Sequence, residues 1–280
     1  MSTPVFHAFP APAKLNLTLS VVGRRADGYH LLETVFRFID LHDTLYLAPR
    51  ADGAIVLETP LPGVAPERDL SVRAARLLQR LSGSQQGVTL RIEKRIPLGG
   101  GLAGGSSDAA TVLLALNQLW NTQIPRAQLQ QAAVELGADV PVFIFGQAAF
   151  ASGIGDELTV CEVPDAWYVV LRPPVHVPTA QVFSSDRLTR NSTMSIMRSL
   201  SAGHRKNDLQ NVVCEMFPEV QTCLQRLSQY GSPLMTGSGS CVFLECQTEQ
   251  EAKTVYQSLS SSYTGFVARG LLHHPLFEAQ

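Results

Sequence analysis

Pro97-Leu98-Gly99-Gly100-Gly101-Leu102-Ala103-Gly104-Gly105-Ser106-Ser107-Asp108-Ala109-Ala110 decides how this chain is read. Five glycines fall within the seven residues 99–105. Bare backbone lets a ligand approach closely and points successive N–H groups at it, so the glycines are expected to serve a ligand and not to pack. The run opens an apolar helix expected from Ser107 to Trp120, and a helix start carries unpaired N–H groups and positive dipole. Together these features make an anion site suited to phosphates. Ser106 and Ser107 add hydroxyls for a phosphate or for its Mg²⁺. A flexible loop with serine capping is the alternative.

The known phosphate loops can be separated by what accompanies them. Gly99-x-Gly101-x-x-Gly104 fits the dinucleotide fingerprint, but that motif requires an acid about 20 residues on. Asn121-Thr122-Gln123-Ile124-Pro125 supplies none, which argues against a nicotinamide dehydrogenase. A Walker A loop needs lysine after its last glycine, and position 106 is serine. Protein-kinase signatures are absent. What remains is a lysine-free phosphate loop on a buried helix.

Outward from the loop, Leu15, Leu17, Leu19 and Val21 alternate with Asn16, Thr18 and Ser20, which is strand periodicity. Leu31–Ile39, Thr44–Leu47, Ala54–Leu57 and Val88–Ile96 read as further strands. Asp69 is placed to cap a helix over Leu70–Leu81, with Gly83 beyond it. Pro125 and Gly137 bracket another helix. Val142–Phe145 reads as a short buried strand. The C-terminal part gives strands at 167–171, 241–245 and 266–272 and helices at 211–230 and 249–261. Strands and helices mix without regular βαβ alternation, so the fold class expected is α+β. At 280 residues the chain is long for one core and comfortable for two. The expected domains are 1–163 and 164–280.

Apolar residues make up 45% and charged residues 16% of the chain, with a net charge of −2. That is ordinary globular composition without the basic patch of a nucleic-acid binder. No apolar run reaches the ~18 residues of a membrane span. The start, MSTPVFHAFPAPAK, lacks the pattern of a secretory signal. A cytoplasmic protein with no nucleic-acid or membrane partner is expected, as monomer or homodimer. Five cysteines without C-x-x-C spacing argue against a disulfide framework and against zinc. His273-His274 should diverge along a strand, so no metal site is expected.

Two charged residues invite attention. Asp139 follows the Gly137 helix stop, and Val140-Pro141 is expected to hold the chain extended. A constrained acid between helix and strand and a solvated turn acid fit equally well. Lys14 opens the first strand, where a lone lysine is usually solvated.

The glycine run resembles the second motif of the GHMP kinases. Pro12-Ala13-Lys14-Leu15-Asn16-Leu17 is similar to the first motif, and Thr236-Gly237-Ser238-Gly239-Ser240-Cys241-Val242-Phe243 to the third. Arg25-Ala26-Asp27-Gly28-Tyr29-His30 resembles the signature loop of the branch whose substrate is a cytidine-diphosphate-linked methylerythritol. The motifs occur in order along nearly the whole chain. Arg68-Asp69-Leu70 departs from the pattern, with Asp where the family has Asn near the adenine.

The resemblance implies a two-domain ATP-dependent kinase using Mg²⁺ and acting on a small-molecule hydroxyl. It implies an ATP site at Lys94 and over Pro97, Leu98, Gly99, Gly100, Gly101, Leu102, Ala103, Gly104, Gly105, Ser106 and Ser107. Gly-Ala-Asp-Val-Pro matches the segment with the family's catalytic aspartate, so Asp139 would take the acceptor proton, and Lys14 would stabilise charge beside it. Tyr29 and Phe183 would sandwich the cytosine, His30 would read its edge, and Asn16, Thr179 and Ile154 would lie nearby. A different GHMP substrate, or a catalytically silent nucleotide-binding relative, are the rivals. The Asp27-Gly28-Tyr29-His30 loop disfavours the first, and retention of Lys14 with Asp139 disfavours the second.

Overall fold

The computed structural model describes residues 4–60, 64–192 and 205–277. Two long antiparallel strands organise it, β1 (His7–Arg24) and β2 (His30–Arg50), joined across the turn at Arg25–Tyr29. Register shifts at Pro12/Ala13 and Asn16/Thr18 flank Lys14. Such irregularities bend a strand locally and re-aim its side chains. The other strands are β3 (Ile55–Leu57), β4 (Gly87–Glu93), β5 (Ala149–Ser152), β6 (Glu157–Val160), β7 (Trp167–Arg172), β8 (Leu234–Met235), β9 (Val242–Cys246) and β10 (Thr264–Leu271). The sheet runs β3-β4-β2-β10-β7-β9-β8, with β1 and β5 also on β2 and β6 on β5.

The helices are α1 (Leu70–Ser82), α2 (Gly104–Leu119), α3 (Arg126–Ala133), α4 (Val140–Phe145), α5 (Thr179–Ser184), α6 (Gln210–Met216), α7 (Pro218–Leu227) and α8 (Glu249–Leu259). The first four pack with β1, β2 and β4 around Leu77, Leu113, Leu116 and Phe143. The last three cover β7 and β9 around Val213, Leu227 and Val255. Between these clusters, Leu15 and Leu17 of β1 meet Tyr168 and Phe243. The polar residues of β1 are buried as well. Asn16, Thr18 and Ser20 are all buried, and the C-terminal part of the chain meets two of them: Thr18 Oγ1 donates to the Lys206 carbonyl and the Asn16 N–H donates to Thr236 Oγ1. Strand alternation was therefore a correct sign of a strand and gave no sign of its burial on both faces.

Local expectations hold where a cap or a long period fixes them. Asp69 caps α1 by accepting from Ser71 N–H at 2.8 Å, and Gly83 ends the helix in the left-handed region. Buried Asp69 is thus occupied as a helix cap. The Val142–Phe145 strand is corrected: this segment is helical, as α4. Asp139 has helical dihedrals (φ −85°, ψ −10°), so Pro141 does not hold the chain extended. Proline is tolerated in a first helical turn because its missing N–H would have no partner there. A six-residue apolar run cannot be told from a buried strand by periodicity. Pro125 precedes α3 as its cap, and α3 ends before Gly137. The 211–230 helix is broken into α6 and α7 at Phe217-Pro218.

Candidate active site

The start of α2 builds the floor of the site. Ala103, just before the helix, lies in the left-handed region (φ 56°), and no side chain caps the first turn. The first N–H groups of α2 therefore remain available to an anion, at the positive end of a 16-residue helix. Gly101 has φ +76°, and a Cβ there would lie 2.2 Å from the Thr236 carbonyl oxygen. A Cβ on Gly100 would lie 2.7 Å from Cys241 Sγ, and one on Gly99 2.6 Å from His176 Nδ1. The expectation that these glycines do no packing is corrected. Gly100 and Gly101 let the loop seat against the third glycine segment, 236–241, and Gly99 makes room for His176.

This seating gives Gly101→Val a double effect. A β-branched side chain meets both the dihedral and the Thr236 carbonyl. The variant is expected to lose ATP binding and to unfold at lower temperature than the parent. Calorimetry reads both, and a parent-like melting temperature would show that the two glycine segments need not touch.

Lys14 projects from β1 under the loop and is 2% exposed. Its Nζ donates to Asn16 Oδ1 at 2.6 Å and to the Gly101 carbonyl at 2.9 Å. Asp139 Oδ2 lies 3.7 Å away, on the residue preceding α4. The Asp139 side chain is 38% exposed and faces the cleft. Burial lowers the Lys14 pKa, and Asp139 opposes that shift. The pair is asymmetric, with an enclosed cation behind an accessible carboxylate.

A cleft of about 950 Å³ spans the site. Its walls include Lys14, Asn16, Asp139, Pro97–Gly101, Ala103–Ser106 and the residues Tyr29, His30, Ile154, Thr179 and Phe183. Tyr29 is 58% exposed, and His30 and Phe183 have ring centroids 5.0 Å apart. Thr179 Oγ1 lies 2.7 Å from Ser238 Oγ of the third glycine segment. Residues from both ends of the chain thus meet over one cavity.

Three expected nucleotide contacts are placed elsewhere. The Leu102 side chain is buried, and its carbonyl accepts from the Lys14 N–H at 3.2 Å. Ser107 is fully buried, with Oγ donating to the Pro12 carbonyl at 2.6 Å. Lys94 does not line the cleft. Its ammonium bridges buried Asp43 and Asp108, 2.6 Å from Asp108 Oδ2. Asp43 Oδ1 also accepts from the N–H groups of Arg95 and Ile96, at 2.5 and 2.8 Å. Lys94 therefore ties the chain before the loop to the first turns of α2. Burial alone would lower its pKa, but Asp108 and Asp43 together hold it raised. His176, Thr34 and Phe36 also line the cleft, and no local pattern singles them out.

Residues 69–147 match the GHMP kinases N terminal domain, and residues 187–265 match the GHMP kinases C terminal family. The 4-diphosphocytidyl-2-C-methyl-D-erythritol kinase of Chromobacterium violaceum is 59% identical over 98% of both chains. The chain belongs to the GHMP kinases. The kinase of the same name from Thiobacillus denitrificans is 58% identical, over 97% of this chain and 98% of its own. A crystal structure of 4-(cytidine 5'-diphospho)-2C-methyl-D-erythritol kinase superposes with a TM-score of 0.82 at 34% identity, covering 94% of this chain and 99% of that one. Homoserine kinase from Cytophaga hutchinsonii, at 16% identity and a TM-score of 0.70 over 98% and 97% of the two chains, shares the fold. As a GHMP kinase the protein is an ATP-dependent small-molecule phosphotransferase. The uncapped α2 turn and the close-seated glycines fit a polyphosphate. Among the described residues no group of three His, Cys, Asp or Glu could hold a metal ion, and no helix is long and apolar enough to cross a membrane.

Proposed function

We propose that the protein transfers the γ-phosphoryl group of ATP to the 2-hydroxyl of 4-diphosphocytidyl-2-C-methyl-D-erythritol, in cytoplasmic synthesis of isoprenoid precursors by the non-mevalonate route. One observation carries the reading: Lys14 and Asp139 meet at 3.7 Å between an uncapped helix start and an aromatic pocket. Residues 1–163 would supply the phosphate loop and both charged groups. Residues 164–280 would close the acceptor pocket with Thr179 and Phe183.

In this reading the loop N–H groups hold the phosphates and take up charge that develops on the leaving oxygen. Asp139 accepts the proton of the attacking hydroxyl, being the accessible member of the pair. Lys14, held by Asn16 and the Gly101 carbonyl, keeps the carboxylate aimed and offsets its charge. Mg²⁺ would neutralise phosphate charge. Ser106, whose neighbour Ser107 is bound to Pro12, is the loop hydroxyl left to reach it. Such sites usually use few protein ligands, the phosphates supplying the rest.

ATP consumption with the cytidyl substrate, compared with mevalonate, homoserine and galactose, tests the assignment. Faster turnover with any of the last three would overturn the substrate and leave the class. The aromatic pocket gives a second test. Tyr29→Ala and Phe183→Ala should each weaken cytidyl-substrate binding by about 1–3 kcal/mol, the usual loss of a base stack. ATP affinity should hardly change, and titration calorimetry with both ligands separates the two. Equal losses for both would mean that the rings support the fold and do not read a base.

A further inference from the structure

Arg190 has no counterpart in the motifs, yet it ends against the proposed base pocket. Its guanidinium is engaged on three sides by carbonyls. Nη2 donates to Phe183 at 3.2 Å and Ser185 at 2.7 Å, and Nη1 donates to Leu188 at 3.3 Å. Those carbonyls lie at the end of α5 and just after it. A further donor, Nε, points at Nε2 of His30 at 3.1 Å. One side chain thus fastens the segment carrying Phe183 to the ring of His30, and those two rings are themselves in contact.

Arginine has only donors and does not lose its proton in proteins. The His30 nitrogen that faces it must offer a lone pair. An imidazole with a lone pair on Nε2 is neutral and carries its hydrogen on Nδ1. An imidazolium there would set N–H against N–H. Burial, then the charges of Arg190 and Arg24, also lower the His30 pKa.

We propose that Arg190 locks His30 as the neutral Nδ1–H tautomer, making it a fixed hydrogen-bond donor that selects cytosine over uracil. This rests on the reading of Tyr29, His30 and Phe183 as the base pocket. Cytosine presents a lone pair at N3, whereas uracil presents N–H there. A fixed donor matches the first and opposes the second. A histidine free to change tautomer would serve both. Arg190 is a positioning residue, acting through His30.

Long-range ¹H–¹⁵N spectra of the full chain read the tautomer directly. In the parent, His30 should show a protonated Nδ1 and a bare Nε2, and cytidine diphosphate should bind roughly tenfold or more tighter than uridine diphosphate. Arg190→Met should bring Nε2–H character into the His30 spectrum and reduce the preference to within about threefold. His30→Gln, whose amide can donate or accept, should erase the preference without disturbing Arg190. It decides the matter if Arg190→Met does not fold. An Nε2–H tautomer in the parent, or an undiminished preference in Arg190→Met, would overturn the lock while leaving the pocket. Equal binding of the two nucleotides by the parent, unaffected by His30→Gln, would overturn the pocket and the lock with it.

Discussion

Asp139→Asn should lower turnover by roughly 10²–10⁴ while nucleotide binding persists. The substitution keeps size and hydrogen-bonding reach, and removes the proton acceptor and its charge. Asp139 is 38% exposed and Lys14 retains Asn16 and Gly101 as partners, so the fold should survive. Loss of a negative charge beside the phosphates should leave ATP affinity equal or slightly higher. The pH profile should change as well. Burial lowers the Lys14 pKa and Asp139 opposes it, so removing Asp139 lets the lysine deprotonate at lower pH. The alkaline limb of any residual activity should move down accordingly. Lys14→Met should also slow turnover, and the double variant should lose less than the two separate losses combined, because the residues act as a unit. A tenfold loss in Asp139→Asn would assign Asp139 to positioning, since phosphoryl transfer is largely dissociative. Turnover within twofold of the parent, with a parent-like circular dichroism spectrum, would remove it from the mechanism.

Lys94→Met should cost stability on the scale of a broken buried ion pair, about 3–5 kcal/mol. Among the described residues its ammonium is the one cation paired with both fully buried Asp43 and nearly buried Asp108. Asp108 Oδ1 already lacks a hydrogen-bond partner. Burial is the main reason that the Asp108 carboxyl is pushed up to about 7 from an ordinary 3.8, with Lys94 pulling the other way. A carboxyl whose native pKa exceeds its unfolded one favours folding at low pH. That contribution fades as pH climbs from about 4 through the native value. Without Lys94 the native pKa rises further, so the variant should lose more stability at pH 8 than at pH 5. Urea unfolding at the two pH values measures this. Nucleotide affinity should fall too, because the same contacts anchor both ends of the glycine loop. Parent-like stability at pH 8 would show that the bridge does not hold the loop.

What could be read from the sequence was whatever local chemistry fixes. The glycine run declared an anion site because its alternatives each lacked a required residue. Asp69 and Gly83 marked α1 because capping is a matter of one side chain and one dihedral. Asp139 was reached for a wrong local reason, since Pro141 starts a helix and does not extend the chain, and the resemblance carried the assignment. Ser106 and Ser107 could not be told apart because one residue of helical rotation decides which hydroxyl faces the cleft. Lys94 lies just ahead of the loop in sequence, but its partner Asp43 is 51 residues away. Arg190 and His30 are separated by 160 positions, and no spacing rule connects them.

The position of β10 has a consequence for how the protein is made. It pairs Gly270 with Ile39 and Leu271 with Phe38 of β2, and it lies over Arg37, which is fully buried. A Cβ on Gly270 would come within 2.7 Å of Arg37 Nε, so the lid is a close one. Leu271 of the strand that seals this part of the sheet is synthesised 233 residues after its partner Phe38 (271 − 38). At about 5–20 residues per second, roughly 10–50 s separate the synthesis of β2 from that of β10. During that interval Phe38–Ile39 of β2 has β1 on one side and no strand on the other, and the charge of Arg37 has water in place of a covering backbone. The nascent chain thus offers this edge to a wrong strand until β10 has been made.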